Sequence, residues 1–199
     1  MQNPSCHHFG AAKRILRYIA GTIDYGIWYT HTSNFNLCGF TDSDWASSSD
    51  DRKSISASVF SLGSGAVTWS SKKQATTALS SSEAEYVAAT SAACQAIWFR
   101  RILAELHQRQ EGATEIFCDN KSTIAMTKNP VFHGRTKHID IRLHFIRDLV
   151  ANNEIQLKYC STHEQVADIL TKSLSREKFT YFRSRLGVCN FELRGCVEK

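Results

Sequence analysis

The sequence lacks the features that mark membrane, secreted and zinc-binding proteins. No apolar run approaches the roughly 18 residues that a membrane-spanning helix needs, so we expect no membrane partner. Residues 1–10 lack the long apolar stretch of a secretory signal, which predicts a location in the cytoplasm or the nucleus. The seven cysteines are odd in number and include no C-x-x-C pair, so reduced thiols are expected rather than a zinc site.

Composition and charge permit one globular domain with an anionic partner. Of the 199 residues, 42% are hydrophobic and 22% charged, which suits one domain with a sizeable core. The net charge of +5 permits a polyanionic partner without requiring one. Basic residues outnumber acidic ones between residues 120 and 148, which indicates a solvated helix face or a surface that follows phosphates. They are Lys121, Lys128, Arg135, Lys137, Arg142 and Arg147.

Hydrophobic periodicity predicts a mixed α/β fold, in which three successive strands are followed by alternating helices and strands. We expect an N-terminal appendage (residues 1–36), a main domain (37–186) and a C-terminal tail (187–199). The predicted strands cover residues 25–29, 37–45, 56–62, 66–70, 114–118 and 154–159. The predicted helices cover residues 7–20, 83–106, 121–128 and 139–150, with one or two more within 164–186.

Two acidic residues stand near the end of the first strand of the main domain. Asp42 and Asp44 are two positions apart, so their side chains are expected on one face of that strand, together with Phe40. Burying an unpaired carboxylate beside a core-facing ring is costly, and a bound cation removes that cost. The alternative is that this end of the strand is simply exposed.

Glu85 is predicted to point inward from the long helix. Ala88, Ala89 and Ala92 follow it at helical spacing, so this helix face can pack close to a sheet. Glu83 lies on another face and is expected in solvent.

Two more acidic residues occupy positions where either a structural or a chemical role is open. Asp119 ends an apolar strand, where it could cap the next helix or take part in chemistry. Asp168 is expected about two turns into a helix, because Thr162 and Gln165 resemble a capping box that would start this helix near His163. Together, Asp42, Glu85, Asp119 and Asp168 form a set of carboxylates that suits Mg²⁺, and two such ions can promote phosphodiester hydrolysis.

Several motifs, in this order along the chain, resemble those of the ribonuclease H fold. They lie at residues 40–42, 82–88, 118–122 and 165–172, and the second of them matches Glu85 rather than Glu83. The sequence is still more similar to the ribonuclease H domain of copia-type retrotransposon polyproteins. That similarity lies at residues 41–46, 70–74 and 137–142, and residues 14–18 resemble the last helix of the reverse transcriptase.

This resemblance implies a mixed five-stranded sheet flanked by helices. It implies an endonuclease that uses Mg²⁺ or Mn²⁺ to hydrolyse the RNA strand of an RNA/DNA hybrid. It further implies that residues 1–36 are a remnant of the reverse transcriptase tail and that the reverse transcriptase is a partner. If the protein is cytoplasmic, the resemblance implies that it lies within a virus-like particle. The metal ligands and catalytic residues that it implies are Asp42, Glu85, Asp119 and Asp168.

Further residues are candidates for auxiliary and substrate-binding roles. His163 either assists product release or proton transfer, or has no catalytic role, and Asp44 is a second auxiliary candidate without an assigned task. Hydroxyl and amide groups beside the acids are expected to meet RNA 2′-hydroxyls, and a basic segment is expected to contact phosphates of the DNA strand. The first set is Ser81, Ser82 and Asn120, and the second is Lys72, Lys73 and Gln74.

Two alternatives remain at the level of sequence. Asp42, Asp119 and Glu154 loosely imitate the triad of an integrase-type nuclease, although Glu154 is expected in a strand and the triad leaves Glu85 and Asp168 unexplained. The other alternative is a catalytically inactive retroelement fragment that only binds nucleic acid or another protein.

Overall fold

The computed structural model of the chain describes residues 3–31, 35–48, 50–128 and 137–191, without the side chains of residues 137–143. Its helices are α1 (Cys6–Ala20), α2 (Ser81–Glu105), α3 (Lys121–Lys128), α4 (Lys137–Ala151), a 3₁₀ helix (Val166–Leu170) and α5 (Arg176–Arg185). Its strands are β1 (Tyr25–Ile27), β2 (Leu37–Ser43), β3 (Ile55–Leu62), β4 (Gly65–Lys73), β5 (Thr114–Cys118), β6 (Ile155–Tyr159) and β7 (Val188–Asn190).

Five strands form one mixed sheet in the order β4-β3-β2-β5-β6. The hairpin of β3 and β4 continues the sheet from β2 in antiparallel fashion, because the short turn between the two strands reverses the chain. β5 then pairs in parallel with β2, and β6 pairs in parallel with β5. The predicted five-stranded mixed α/β fold is thereby confirmed, with β2 at its centre.

The two faces of the sheet bury different clusters of side chains. Neighbouring residues of a strand point to opposite faces, so Val59 and Phe60 of β3 enter different clusters. Phe60 lies on the face covered by α2, while Val59 packs with Val166 of the 3₁₀ helix and Phe182 of α5. Six alanines on one face of α2 let the helix approach the sheet closely, because their side chains are small. Each is 0–1% exposed, and they are Ala84, Ala88, Ala89, Ala92, Ala93 and Ala96.

A second, two-stranded sheet joins the two ends of the described chain. β1 pairs with β7 in antiparallel register, and the Tyr29 hydroxyl donates a hydrogen bond to the Ala66 carbonyl of β4. The segment before Leu37 thus docks on the main domain through Tyr29 and Thr30, which bond to Ala66 and Ser64. The sequence patterns did not predict β7, and the predicted boundaries at residues 36/37 and 186/187 stay predictions.

Helix α1 exposes an apolar face to solvent. A capping box formed by Ser5 and His8 starts the helix, and none of its residues is buried. More than half of each large apolar side chain on this face is exposed, namely Phe9, Ile15, Leu16 and Ile19. Within the described part of the chain, no helix has the length and apolar character needed to cross a membrane.

The segment 164–186 contains two helices, as predicted, but the first of them begins later than expected and is a 3₁₀ helix. Gln165, rather than Thr162, caps the helical turn that carries Asp168, because its side chain accepts a hydrogen bond from the Ala167 amide at 3.3 Å. The Gln165 amide nitrogen also donates to the Thr41 carbonyl of β2 at 2.9 Å. The helix that follows Gln165 is a short 3₁₀ helix, with Asp168 as its third residue.

We predict that Gly39→Ala destabilises the protein, because β2 has no room for a side chain at this position. A Cβ atom there would lie 2.5 Å from Cε1 of Phe60, whose ring is fully buried. Overpacking of this kind costs about 1–3 kcal/mol in the free energy of unfolding, measurable by urea denaturation. Gly10→Ala in exposed α1 is the control, because apart from the neighbouring backbone of its own helix no atom lies within 4 Å of the added Cβ. An equal effect of both substitutions would contradict this prediction.

Candidate metal centre

The parallel pairing of β2 and β5 brings Asp42 and Asp119 together. Phe40 of β2 is opposite Phe117 of β5, and each acid stands two residues further along its strand. Both carboxylates therefore lie at the carboxyl ends of neighbouring parallel strands, where α/β folds place their chemistry. Asp42 is fully buried, whereas Asp119 is partly exposed.

Glu85 reaches the same point from the first turns of α2. Its carboxylate accepts a hydrogen bond from the backbone amide of Ser43 at 3.2 Å, and its side chain is buried. The thiol of Cys118 lies 4.0 Å from the other carboxylate oxygen. The packing of α2 against β2 through small side chains thus turns Glu85 inward, as its spacing from the alanines predicts.

Asp168 approaches from the 3₁₀ helix on the other face of the sheet. It is 1% exposed, and its neighbours Val166 and Ala167 are equally buried. The hydrogen bond from Gln165 to β2 fixes the start of this helix beside Asp42.

The carboxylate oxygens converge to distances that suit a metal ion. Asp42, Asp119 and Asp168 each offer an oxygen within 4.8 Å of the others, and Glu85, Cys118 and Asp119 form a second group with the same limit. Among the described residues, these two groups are the sets of three or more side chains that could hold a metal ion. Carboxylate oxygens are hard ligands, so the donor set fits Mg²⁺ or Mn²⁺.

Burial and mutual repulsion raise the pKa values of two of these acids. Burial, followed by the negative charges of Asp42 and Asp119, raises the pKa of Glu85 to about 9. Burial also raises the pKa of Asp168 to about 6, although a hydrogen bond from Lys172 opposes the shift. Clustered acids with raised pKa values are typical of functional sites.

Three residues to which the sequence analysis gave no role in the site contact the acids. Thr171 donates a hydrogen bond to Asp42, and Lys172 forms ion pairs with Asp42 and Asp168. The Thr162 hydroxyl lies 3.0 Å from a carboxylate oxygen of Asp119. Thr171 and Lys172 lie within the motif at residues 165–172 and Thr162 lies just before it, but the contacts of all three depend on tertiary structure.

The two auxiliary candidates lie outside this cluster. His163 is exposed in the turn after β6, and its neighbour Thr162 makes the contact with Asp119. Asp44 follows the end of β2 and accepts hydrogen bonds from the Ile55 amide and the Ser47 hydroxyl, which tie the following loop to β3. Asp44 therefore belongs to neither group of converging ligands, although strand spacing predicted it beside Asp42.

The structure contradicts the interpretation of Glu83. This residue is buried rather than solvated, and its carboxylate accepts a hydrogen bond from the Leu79 amide at 2.8 Å. Its own amide donates to Ser80, the residue that caps α2. Glu83 thus stabilises the first turn of α2, which positions the side chain of Glu85.

The structure also contradicts a phosphate contact by Gln74. Its side chain is buried, and its amide nitrogen lies within hydrogen-bond distance of the hydroxyls of Ser43 and Ser56 and the carbonyl of Ala84. Gln74 therefore joins the end of β2 to the start of α2. Lys72 and Lys73 on β4 are exposed, and Lys73 forms an ion pair with Asp51.

The polar candidates for RNA contacts stand near the acids. Ser81 is exposed and Ser82 is half-buried at the start of α2. Asn120 is also half-buried and accepts a hydrogen bond from the Thr123 amide. Asn120, not Asp119, therefore caps α3, which leaves the carboxylate of Asp119 available to the cluster.

The remaining sequence candidates separate from the site or lie partly outside the described residues. Glu154 precedes β6, and its carbonyl accepts a hydrogen bond from Thr114 at the beginning of β5. It thus lies at the opposite end of the sheet from Asp119, which excludes the integrase-type triad. In the basic segment, Lys121 stacks on the Tyr159 ring, whereas Arg135 and the side chains of Lys137 and Arg142 lie outside the described residues.

Comparisons with known proteins bear on the fold and on the relatives of the chain. No protein-family model matches the chain. A solved ribonuclease H1 isolated from compost, LC11-RNase H1, superposes with a TM-score of 0.50 at 13% identity, over 69% of this chain and 93% of that one. The strand order and this likeness define the fold as ribonuclease H-like.

Sequence comparison identifies the relatives of the chain. The chain is 42% identical over 188 residues to the Retrovirus-related Pol polyprotein from transposon RE1 of Arabidopsis thaliana, and 40% identical over 188 residues to that from transposon TNT 1-94 of Nicotiana tabacum. Each comparison covers 94% of this chain but only 13% and 14% of those relatives. The chain is thus a homologue of one segment of copia-type transposon Pol polyproteins.

We predict that Glu85 makes the metal-free protein less stable at high pH. Its pKa is raised in the folded state, so the folded protein holds this proton to a higher pH than the unfolded chain does. The melting temperature in chelator should therefore fall as the pH rises from 5 to 9, and Glu85→Gln should reduce this fall by about 5 °C or more. Glu115→Gln, which alters a partly exposed ion pair with Lys158, is the control. Equal pH profiles for Glu85→Gln and the wild type would refute the assignment.

Proposed function

We propose that this chain is a metal-dependent endonuclease that hydrolyses the RNA strand of RNA/DNA hybrids, as the ribonuclease H part of a copia-type polyprotein. The observation that carries the proposal is the convergence of Asp42, Asp119 and Asp168 within 4.8 Å, with Glu85 beside them. The fold of ribonuclease H1 and the homology with transposon Pol polyproteins agree with it.

The roles of the residues follow from where they lie. Asp42 and Asp168 are buried and would hold a divalent cation, while the partly exposed Asp119 would face both cation and substrate. Glu85 would complete the ligand set from α2, and the Ser43 amide orients its carboxylate. Thr162 and Thr171 are positioning residues, because their hydroxyls contact Asp119 and Asp42.

Mg²⁺ is the proposed cofactor, as two ions, and Mn²⁺ should substitute for it. The chemistry that such ions supply when bound is activation of water and stabilisation of the leaving oxygen. The chain's own contribution is to gather the carboxylates on two strand ends and two helices that pack on the sheet, so that they need no rearrangement during the reaction.

The hybrid is proposed to lie across the exposed edge of this site. Ser81, Ser82 and Asn120 would meet 2′-hydroxyls of the RNA strand, and this contact would distinguish RNA from DNA. Lys72 and Lys73 are exposed on β4 and would contact phosphates of the DNA strand.

The reverse transcriptase part of the same polyprotein is the proposed protein partner. The relatives are far longer than this chain, and α1 exposes an apolar face with basic residues beside it. A location in cytoplasmic virus-like particles or in the nucleus stays a prediction.

We predict that the protein cleaves an RNA/DNA hybrid in Mg²⁺ and that Asp119→Asn lowers the rate by about 100-fold or more, because one charged ligand is lost. Gel analysis of a hybrid labelled on the RNA strand measures the rate, with duplex RNA and duplex DNA as substrate controls. Excess chelator should abolish cleavage.

The matched control is Glu115→Gln, since this carboxylate pairs with Lys158 outside the metal site. It should retain the wild-type rate within about twofold. Binding of the hybrid without cleavage would instead favour the inactive binding module, and full activity of Asp119→Asn would exclude the proposed site.

A further inference from the structure

Lys172 occupies the position between two of the proposed metal ligands. Its ammonium nitrogen lies 2.8 Å from Oδ1 of Asp168 and 3.1 Å from Oδ1 of Asp42. Both carboxylates are buried, so each depends on a nearby positive charge. Among the described residues, the ion pairs made by these two acids are the ones with Lys172.

The local backbone fixes the position of Lys172, while part of its side chain is exposed to solvent. The backbone amide of Lys172 donates to the Asp168 carbonyl at 3.0 Å, which places the lysine one turn after the acid. Its side chain is 38% exposed, whereas the carboxylates that it contacts are at most 2% exposed. The ammonium group can therefore swing into solvent without any change in the sheet or in the 3₁₀ helix.

We propose that Lys172 is an internal counter-ion that competes with the divalent cation for Asp42 and Asp168. In the metal-free protein it neutralises these acids and stabilises the fold, and it leaves when a cation binds. The lysine thus weakens metal affinity in return for a stable empty site. This inference rests on the metal centre proposed above.

If Lys172 is such a counter-ion, removing its charge should lower the stability of the metal-free protein and raise its affinity for the metal. A cation and Lys172 that exclude each other from the same oxygens are coupled, and removal of one strengthens the binding of the other. A lysine that merely supported the ligands would have the reverse effect, because its loss would weaken metal binding.

Lys172→Met tests the proposal, since it keeps a long side chain and removes the charge. Mn²⁺ is titrated into the folded protein, and the free ion is measured by electron paramagnetic resonance. The dissociation constant should fall about tenfold, and the melting temperature in chelator should fall by several degrees. Lys172→Arg keeps the charge and should bind within about twofold of the wild type, as should the ion-pair control Lys158→Met.

The possible outcomes separate the two proposals. Unchanged or weaker Mn²⁺ binding by Lys172→Met, with normal binding by the wild type, overturns the counter-ion but leaves the metal centre. No binding by either protein overturns both.

A measurement on the wild type covers the case in which Lys172→Met does not fold. Acetylation of Lys172 by acetic anhydride, followed by mass spectrometry, should accelerate severalfold when Mn²⁺ is added, because the displaced ammonium group becomes accessible. Lys158 should react at an unchanged rate. An unchanged rate at Lys172 overturns the proposal.

Discussion

Repulsion among the four carboxylates is the constraint on which this site depends. Asp42 and Asp168 are almost fully buried, and Glu85 is nearly so, which makes three close negative charges costly in the absence of a cation. The protein compensates locally: an amide donates to Glu85, hydroxyls donate to Asp42 and Asp119, and Lys172 contacts Asp42 and Asp168. Such compensation is partial, and it leaves a strong attraction for a hard divalent cation.

The fold supplies the rigidity that holds these charges together. The central strand β2 carries Asp42, and its parallel neighbour β5 sets the position of Asp119 by register. α2 packs on one face of the sheet through its buried alanines and positions Glu85. The 3₁₀ helix packs on the other face, is bonded to β2 through Gln165, and positions Asp168. Each acid therefore belongs to a different element, and all four elements contact or include β2.

Local patterns predicted the elements and the inward acids, but not the contacts that depend on tertiary structure. β5 and α3 appear at their predicted bounds, because an apolar run and a polar break delimit them. Gln74 follows two exposed lysines, so local sequence predicts a surface residue. It is buried because its side chain bonds to the Ala84 carbonyl of α2, a tertiary contact. The late start and the 3₁₀ form of the helix that carries Asp168 were not predicted, because the Thr41 carbonyl that accepts from Gln165 is remote in sequence. β7 was not predicted because its partner β1 is equally remote.

The central claim is that these carboxylates form a divalent metal centre, and a crystal structure of the protein with Mn²⁺ tests it most directly. Anomalous scattering locates the ion independently of any chemical interpretation. The account predicts anomalous density in contact with the carboxylates of Asp42, Asp119 and Asp168, with the ammonium group of Lys172 displaced from them. Mn²⁺ bound elsewhere, with Lys172 still between Asp42 and Asp168 at saturating metal, would contradict it.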